Sequence, residues 1–104
     1  MTTTSQAPDV APPSGARFVD DWGTSGHGAR VILGDNHMIT ESSVLVTTAC
    51  IQHPDGHVDD GSTGNQGPSI YIDSSPDHGL NSDQARELAA LLLELAAHVD
   101  GWLQ

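Results

Sequence analysis

Asn81-Ser82-Asp83-Gln84, running into the alanine- and leucine-rich stretch that ends at Val99, decides the fold because it predicts one strong helix with both ends marked. Asn81 is a suitable N-cap, since its side-chain oxygen can accept from the N–H of Asp83 or Gln84. Gln84, three residues on, can reach back to the cap's own N–H. Leu80 and Ala85 bracket the cap as a weak hydrophobic staple. Asp83 and Glu87 suit the positive end of the helix dipole and His98 the negative end. Gly101 is the expected stop.

Ala85, Leu88, Ala89, Leu92, Leu95, Ala96 and Val99 recur at the i, i+3, i+4, i+7 spacing of one buried face, with Leu91 and Leu93 on its flanks. At about 100° per residue the stripe covers roughly half the circumference, which is more than one small sheet hides. A second copy of the chain is the expected cover for one flank.

Upstream of the helix the texture is β. The segment 43–52, with Val44-Leu45-Val46-Thr47-Thr48-Ala49-Cys50-Ile51 at its centre, is rich in β-branched residues and predicts a strand. Pro54-Asp55-Gly56 then reverses the chain into a hairpin that returns through His57 and Val58. Residues 61–68 read as a floppy loop. Ser69-Ile70-Tyr71-Ile72-Asp73 is a short strand, Ala29-Arg30-Val31-Ile32-Leu33 another, and Arg17-Phe18-Val19 a weaker one. Strands followed by one helix predict an α+β domain: a small antiparallel sheet of three to five strands with the C-terminal helix packed across it. In the 43–52 strand neither the Val44, Val46, Thr48, Cys50 face nor the Leu45, Thr47, Ala49, Ile51 face is strongly polar, a second sign of a partner surface or a well-packed N-terminal segment.

The chain has 104 residues, enough for one domain with a modest core. Residues 1–16 are Thr-, Ser-, Ala- and Pro-rich and are expected to form a disordered tail, leaving 17–104 as the folded domain. They have neither the basic start nor the apolar segment of a signal peptide, and no stretch reads as a membrane span. A single cysteine, Cys50, excludes an internal disulfide and fits a reducing cytoplasm. Fourteen acidic residues oppose three arginines and no lysine, for a formal charge of −11. Such a chain repels phosphate backbones, which argues against nucleic acid as a partner.

The residues that bear chemistry are few. His53 and His57 face each other across the predicted hairpin with Cβ atoms about 5 Å apart, close enough to share zinc or nickel, with His27 and Cys50 as possible additions. Alternation sends Cys50 to the face opposite His53. Asp55, Asp59, Asp60 and Gly61 miss the spacing of an EF-hand loop. Gly26-His27-Gly28 precedes a strand where a dinucleotide fingerprint follows one, and the chain has no P-loop lysine. With no Gly-x-Ser-x-Gly elbow and Cys50 in mid-strand, no catalytic constellation is present and no cofactor is implied.

The stretch Leu80-Asn81-Ser82-Asp83-Gln84-Ala85-Arg86-Glu87-Leu88-Ala89, continuing to Val99-Asp100, resembles the ending shared by small uncharacterised proteins of mycobacteria, streptomycetes and their phages. There a leucine, a capping residue and Gln-Ala-Arg precede alanine-rich turns. Val46 to Gly56 and Ile70-Tyr71-Ile72 are similar to the strands before that helix. Some streptomycete members carry a Trp-Cys pair and a following histidine near the N-terminus; here Trp22 is followed by Gly23, with His27 retained. The resemblance implies an actinobacterial or phage-related origin and a strand-then-helix fold, and it brings no activity with it. The expected function is a cytoplasmic, non-enzymatic protein-interaction module that dimerises through Leu91, Leu93, Leu45 and Ile51 and binds another protein. The alternative is a transition-metal domain built on the histidine pair.

Overall fold

The computed structural model describes residues 9–75 and 77–104. Strands β1 (Phe18–Val19), β2 (Arg30–Met38), β3 (Leu45–Gln52) and β4 (Ser69–Asp73) are followed by helix α1 (Ser82–Gly101). The strands form one antiparallel sheet in the order β1-β2-β3-β4, and α1 crosses one side of it. This is the expected α+β architecture.

The N-terminus of α1 is built as its sequence predicts. The Asn81 side chain accepts from the Gln84 N–H at 2.8 Å, and the Asn81 N–H donates to Gln84 Oε1 at 2.9 Å. The same two turns also tie the helix to the β2–β3 loop. Gln84 Nε2 donates to the carbonyls of Thr40 and Glu41, while the Glu87 carboxylate accepts from the Thr40 N–H and hydroxyl. The helix ends differently from the expectation. It runs through Gly101 with Trp102 as its C-cap in right-handed helical conformation, and the Trp102 indole N–H anchors that end by donating to the Ser14 carbonyl at 2.8 Å.

The buried face of α1 is rotated from the predicted one. Leu95 and Val99 are buried and Leu88, Leu91 and Leu92 half-buried, whereas Ala85, Ala89 and Ala96 are exposed. Leu88, Leu92, Leu95 and Val99 continue into Trp102 at helical spacing, and turning these large side chains inward removes more apolar area from water than burying alanines would. Leu91 packs beside Leu95 against Ile39, Val44 and Val46. Nearer the C-terminal end, Val99 and Trp102 close on Ile32, Cys50 and Val58.

Two segments extend beyond their predicted limits. Strand β2 continues to Met38, past the expected end at Leu33, because Gly34 and Asp35 form a bulge between the Leu33↔Ala49 and Asn36↔Thr47 pairings. Gly34 is required there: a Cβ at this position would lie 2.0 Å from Thr48 Oγ1. Part of the predicted tail belongs to the domain. Residues 1–8 lie outside the described residues, but the carbonyls of Val10, Ala11 and Ser14 accept from the side chains of Arg30, Gln52 and Trp102, and Ala16 packs on the core. Arg30 is 8% and Gln52 2% exposed, so these bonds satisfy groups that water does not reach. The Arg30 guanidinium also donates twice to Gln52 Oε1 and lies 4.0 Å from the centroid of the Trp22 ring. Its positive charge thus meets the amide and carbonyl oxygens and the ring face, and the bonded segment closes the core beyond the helix end.

Gly34→Ala should lower stability by about 1–3 kcal/mol through overpacking against Thr48. Urea unfolding of the double variant with Thr48→Ala checks the cause, since the two effects should then fail to add, the loss of the Thr48 hydroxyl making room for the new methyl group.

Candidate functional site

The predicted hairpin forms a tight turn in which the His53 N–H donates to the His57 carbonyl and the Gly56 N–H to the His53 carbonyl, both at 2.9 Å. Gly56 takes φ 99°, a left-handed conformation that glycine adopts at no steric cost. Across this turn the two imidazoles stack, with centroids 4.4 Å apart and planes 8° from parallel. Parallel rings aim their nitrogens along separate planes and do not converge on a common point. Each ring is engaged by its own carboxylate. His53 Nε2 bonds to Asp59 Oδ2 at 2.7 Å, and His57 Nδ1 to Asp55 Oδ1 by a short contact.

The other two candidate ligands are placed elsewhere. His27, held at φ 64°, bonds through Nε2 to the Thr63 carbonyl at 3.1 Å, and its ring centre is 6.3 Å from that of His53. Cys50 is 2% exposed in the core under Trp102, on the helix side of the sheet. Burial pushes its thiol up to about 12. Among the described residues, no three His, Cys, Asp or Glu side chains come together as a metal set.

The acid that organises this end of the molecule is Asp59, only 1% exposed. Its carboxylate accepts from the Thr63 hydroxyl, from His53 and, at 2.8 Å, from the Gly61 N–H. The Thr63 bond foremost, then the His53 bond, hold the carboxyl well below the usual range. Asp55 is lowered likewise, first by the His57 backbone N–H and then by its ring. The loop 61–68, which reads as floppy, is pinned to Asp59 through Gly61 and Thr63, and Asn65 adds a bond to the Gly26 carbonyl at 3.0 Å. Asp59-Asp60-Gly61 carries the signature that would have found this acid, an aspartate whose side chain caps the N–H two residues on.

The side of the sheet away from α1 presents a different kind of surface. Alternation and register place Phe18, Leu33, Ala49 and Ser69 in one row across the four strands, with Val31 and Ile51 in the row toward the histidine turn. On the other side of that row come Asn36, Thr47 and Tyr71, and then Met38, Leu45 and Asp73. Phe18, Met38 and Tyr71 are exposed by 50, 59 and 50%. The carboxylates that alternation puts on this side near the rows, Asp20 and Asp73, stand at its margins.

The four residues expected at an interface therefore divide. Leu45 and Ile51 lie half-buried on this open face; Leu91 packs beside the core; Leu93, 76% exposed, stands alone on the outer side of α1. The sequence reading missed Phe18, Met38 and Tyr71, whose common face emerges only once β1 and the far half of β2 are paired. Comparison with protein-family models, with curated proteins and with solved structures finds no match for the chain. No helix of the described residues is long and apolar enough to cross a membrane.

Two measurements check this account. An unfolded chain protonates Asp59 more readily than the folded one, so the stability it contributes is complete above about pH 5 and fades as pH falls through the ordinary carboxylate range toward the lower folded value. Urea midpoints between pH 7 and 3.5 should fall accordingly, with a shallower fall in Asp59→Asn and a residual slope from Asp55. A thiol reagent should modify Cys50 in the native protein no faster than the protein unfolds, and at once in denaturant.

Proposed function

We propose that this chain is a non-enzymatic protein-interaction module of the cytoplasm, that it associates with a second copy of itself, and that the open face of the sheet is the contact surface. One observation carries the reading: a four-stranded sheet with apolar side chains on both sides has its helix and N-terminal segment on the same side. Phe18, Val31, Leu33, Leu45, Ile51 and Tyr71 are left facing outward. In a chain of charge −11 two copies repel at most approaches, and an uncharged face with its carboxylates at the rim offers the least costly contact.

The area supports a reversible association. Four strands of 2, 9, 8 and 5 residues at about 4.8 Å spacing give a footprint of roughly 400 Å² per copy, below the size of a stable interface and in the range of weak, transient contacts. The likeness of the C-terminal helix to small mycobacterial, streptomycete and phage proteins belongs to the same proposal and supports an origin in that group. The metal reading gains no support from the stacked rings or the buried thiol.

Sedimentation equilibrium from about 1 to 500 μM should show monomer and dimer exchanging. Met38→Glu, which puts a charge on the open face at an exposed position, should weaken association by about tenfold or more, while Leu93→Glu on the outer side of α1 leaves it unchanged. A strict monomer throughout that range sinks the proposal.

A further inference from the structure

The open face carries a hollow of about 120 Å³ whose floor is Val31, Ala49 and Ile51 and whose rim is Gln66, Ser69 and Tyr71. Its polar rim is already satisfied. Tyr71 Oη donates to Gln66 Oε1 at 3.0 Å, Gln66 Nε2 donates to Ser69 Oγ at 2.8 Å, and Ser69 Oγ donates to the Gly67 carbonyl at 3.0 Å. A hollow with an apolar floor and a rim bonded to itself selects an apolar occupant. It is well below the roughly 300 Å³ at which small-molecule pockets begin, so its natural occupant is a single side chain.

Such a side chain stands on the same face. Phe18, 50% exposed on the edge strand β1, shares a cross-strand row with Leu33, Ala49 and Ser69, and Ser69 lies on the rim of the hollow at the opposite edge. Within one molecule Leu33 stands between Phe18 and the Ala49 floor in that row, and the Ser69 edge lies roughly 14 Å away, three strand spacings, so Phe18 does not reach the Ser69 side of its own hollow.

Resting on the proposal that two copies meet at this face, we infer that Phe18 of each copy seats in the hollow of the other. A two-fold axis parallel to the strands and midway between β2 and β3 exchanges β1 with β4 and β2 with β3, and it keeps each row at its level. That single operation brings both Phe18 rings over the Ser69 edge of the facing hollow and sets Leu33 against Ala49, large against small, at both central positions. It fills both hollows at once and leaves no copy of the patch unmatched, as a closed contact requires. The remaining angle between the sheets is the roughly 30° that their twist imposes in aligned packings about 10 Å apart.

Phe18→Ala removes the ring and keeps the hollow, whereas Ser69→Phe fills the hollow and keeps the ring. Each variant alone should dimerise about 10- to 100-fold more weakly than the parent. Leu93→Ala, at a still more exposed position on the outer side of the helix, should not. An equimolar mixture of the two variants should regain part of the lost affinity, because the Phe18 ring of the Ser69→Phe protein still finds the open hollow of the Phe18→Ala protein. Circular dichroism and the urea midpoint of each variant report folding, and labelling one partner lets sedimentation count mixed dimers. If the parent dimerises but Phe18→Ala does so equally well, or the mixture regains nothing, this seating is wrong while self-association stands. If the parent is a monomer, both fail.

Discussion

An α-helix is about 10 Å across with its side chains, and four paired strands span roughly 15–20 Å, so one helix cannot cover even one side of this sheet. The rest of the structure follows from that mismatch in size. α1 lies over the β3–β4 half, where Leu91 and Leu95 meet Val44 and Val46. Its last turns reach toward Ile32 and Cys50. The remaining part of the same side is closed by the segment from Val10 to Ala16, which supplies carbonyl groups in place of a second helix. With both covering pieces used on one side, the other side stays open.

Closing a core with extended chain demands donors for that chain's carbonyls, and buried side chains supply them. Arg30, Gln52 and Trp102 each place an N–H on residues 10–14 while their own positions are fixed by the sheet or the helix end. Gln52 bonds at once to Arg30, to Ala11 and to the Gly56 carbonyl, so the N-terminal segment, the sheet and the hairpin turn share one side chain. A network of this kind stabilises only when complete, because each lost member strands a buried polar group.

The histidine turn shows how residue types suited to chemistry can be consumed by architecture. Asp59 sits at the centre of a loop rich in glycine and serine, and the energy of its ionised, fully bonded carboxylate holds that loop in place. His53 is one of its donors, and His57 stacks on His53 under the control of Asp55. The pairing of each ring with a nearby acid leaves the two imidazoles parallel. The loop ordered in this way then forms one wall of the hollow on the open face through Gln66 and Gly67.

What the chain determined by itself is what depends on near neighbours. The capping box of Asn81 and Gln84, the strands around Val46 and Ile70, and the reversal at Pro54-Asp55-Gly56 all arise from bonds and propensities within a few residues, and each is legible along the sequence. Features that join distant segments were not: the bulge that carries β2 past Gly34, the rotation of α1 that trades Ala89 for Leu91, and the docking of residues 10–16 on Arg30 and Gln52. The Asn81 helix has several rotations that bury leucine, and only the shape of the sheet beneath it selects one. Tertiary structure likewise decided that Phe18 shares a surface with Tyr71. Alternation within a strand tells which residues go together, but which side meets water is decided only when helix, loop and N-terminal segment compete for the same sheet.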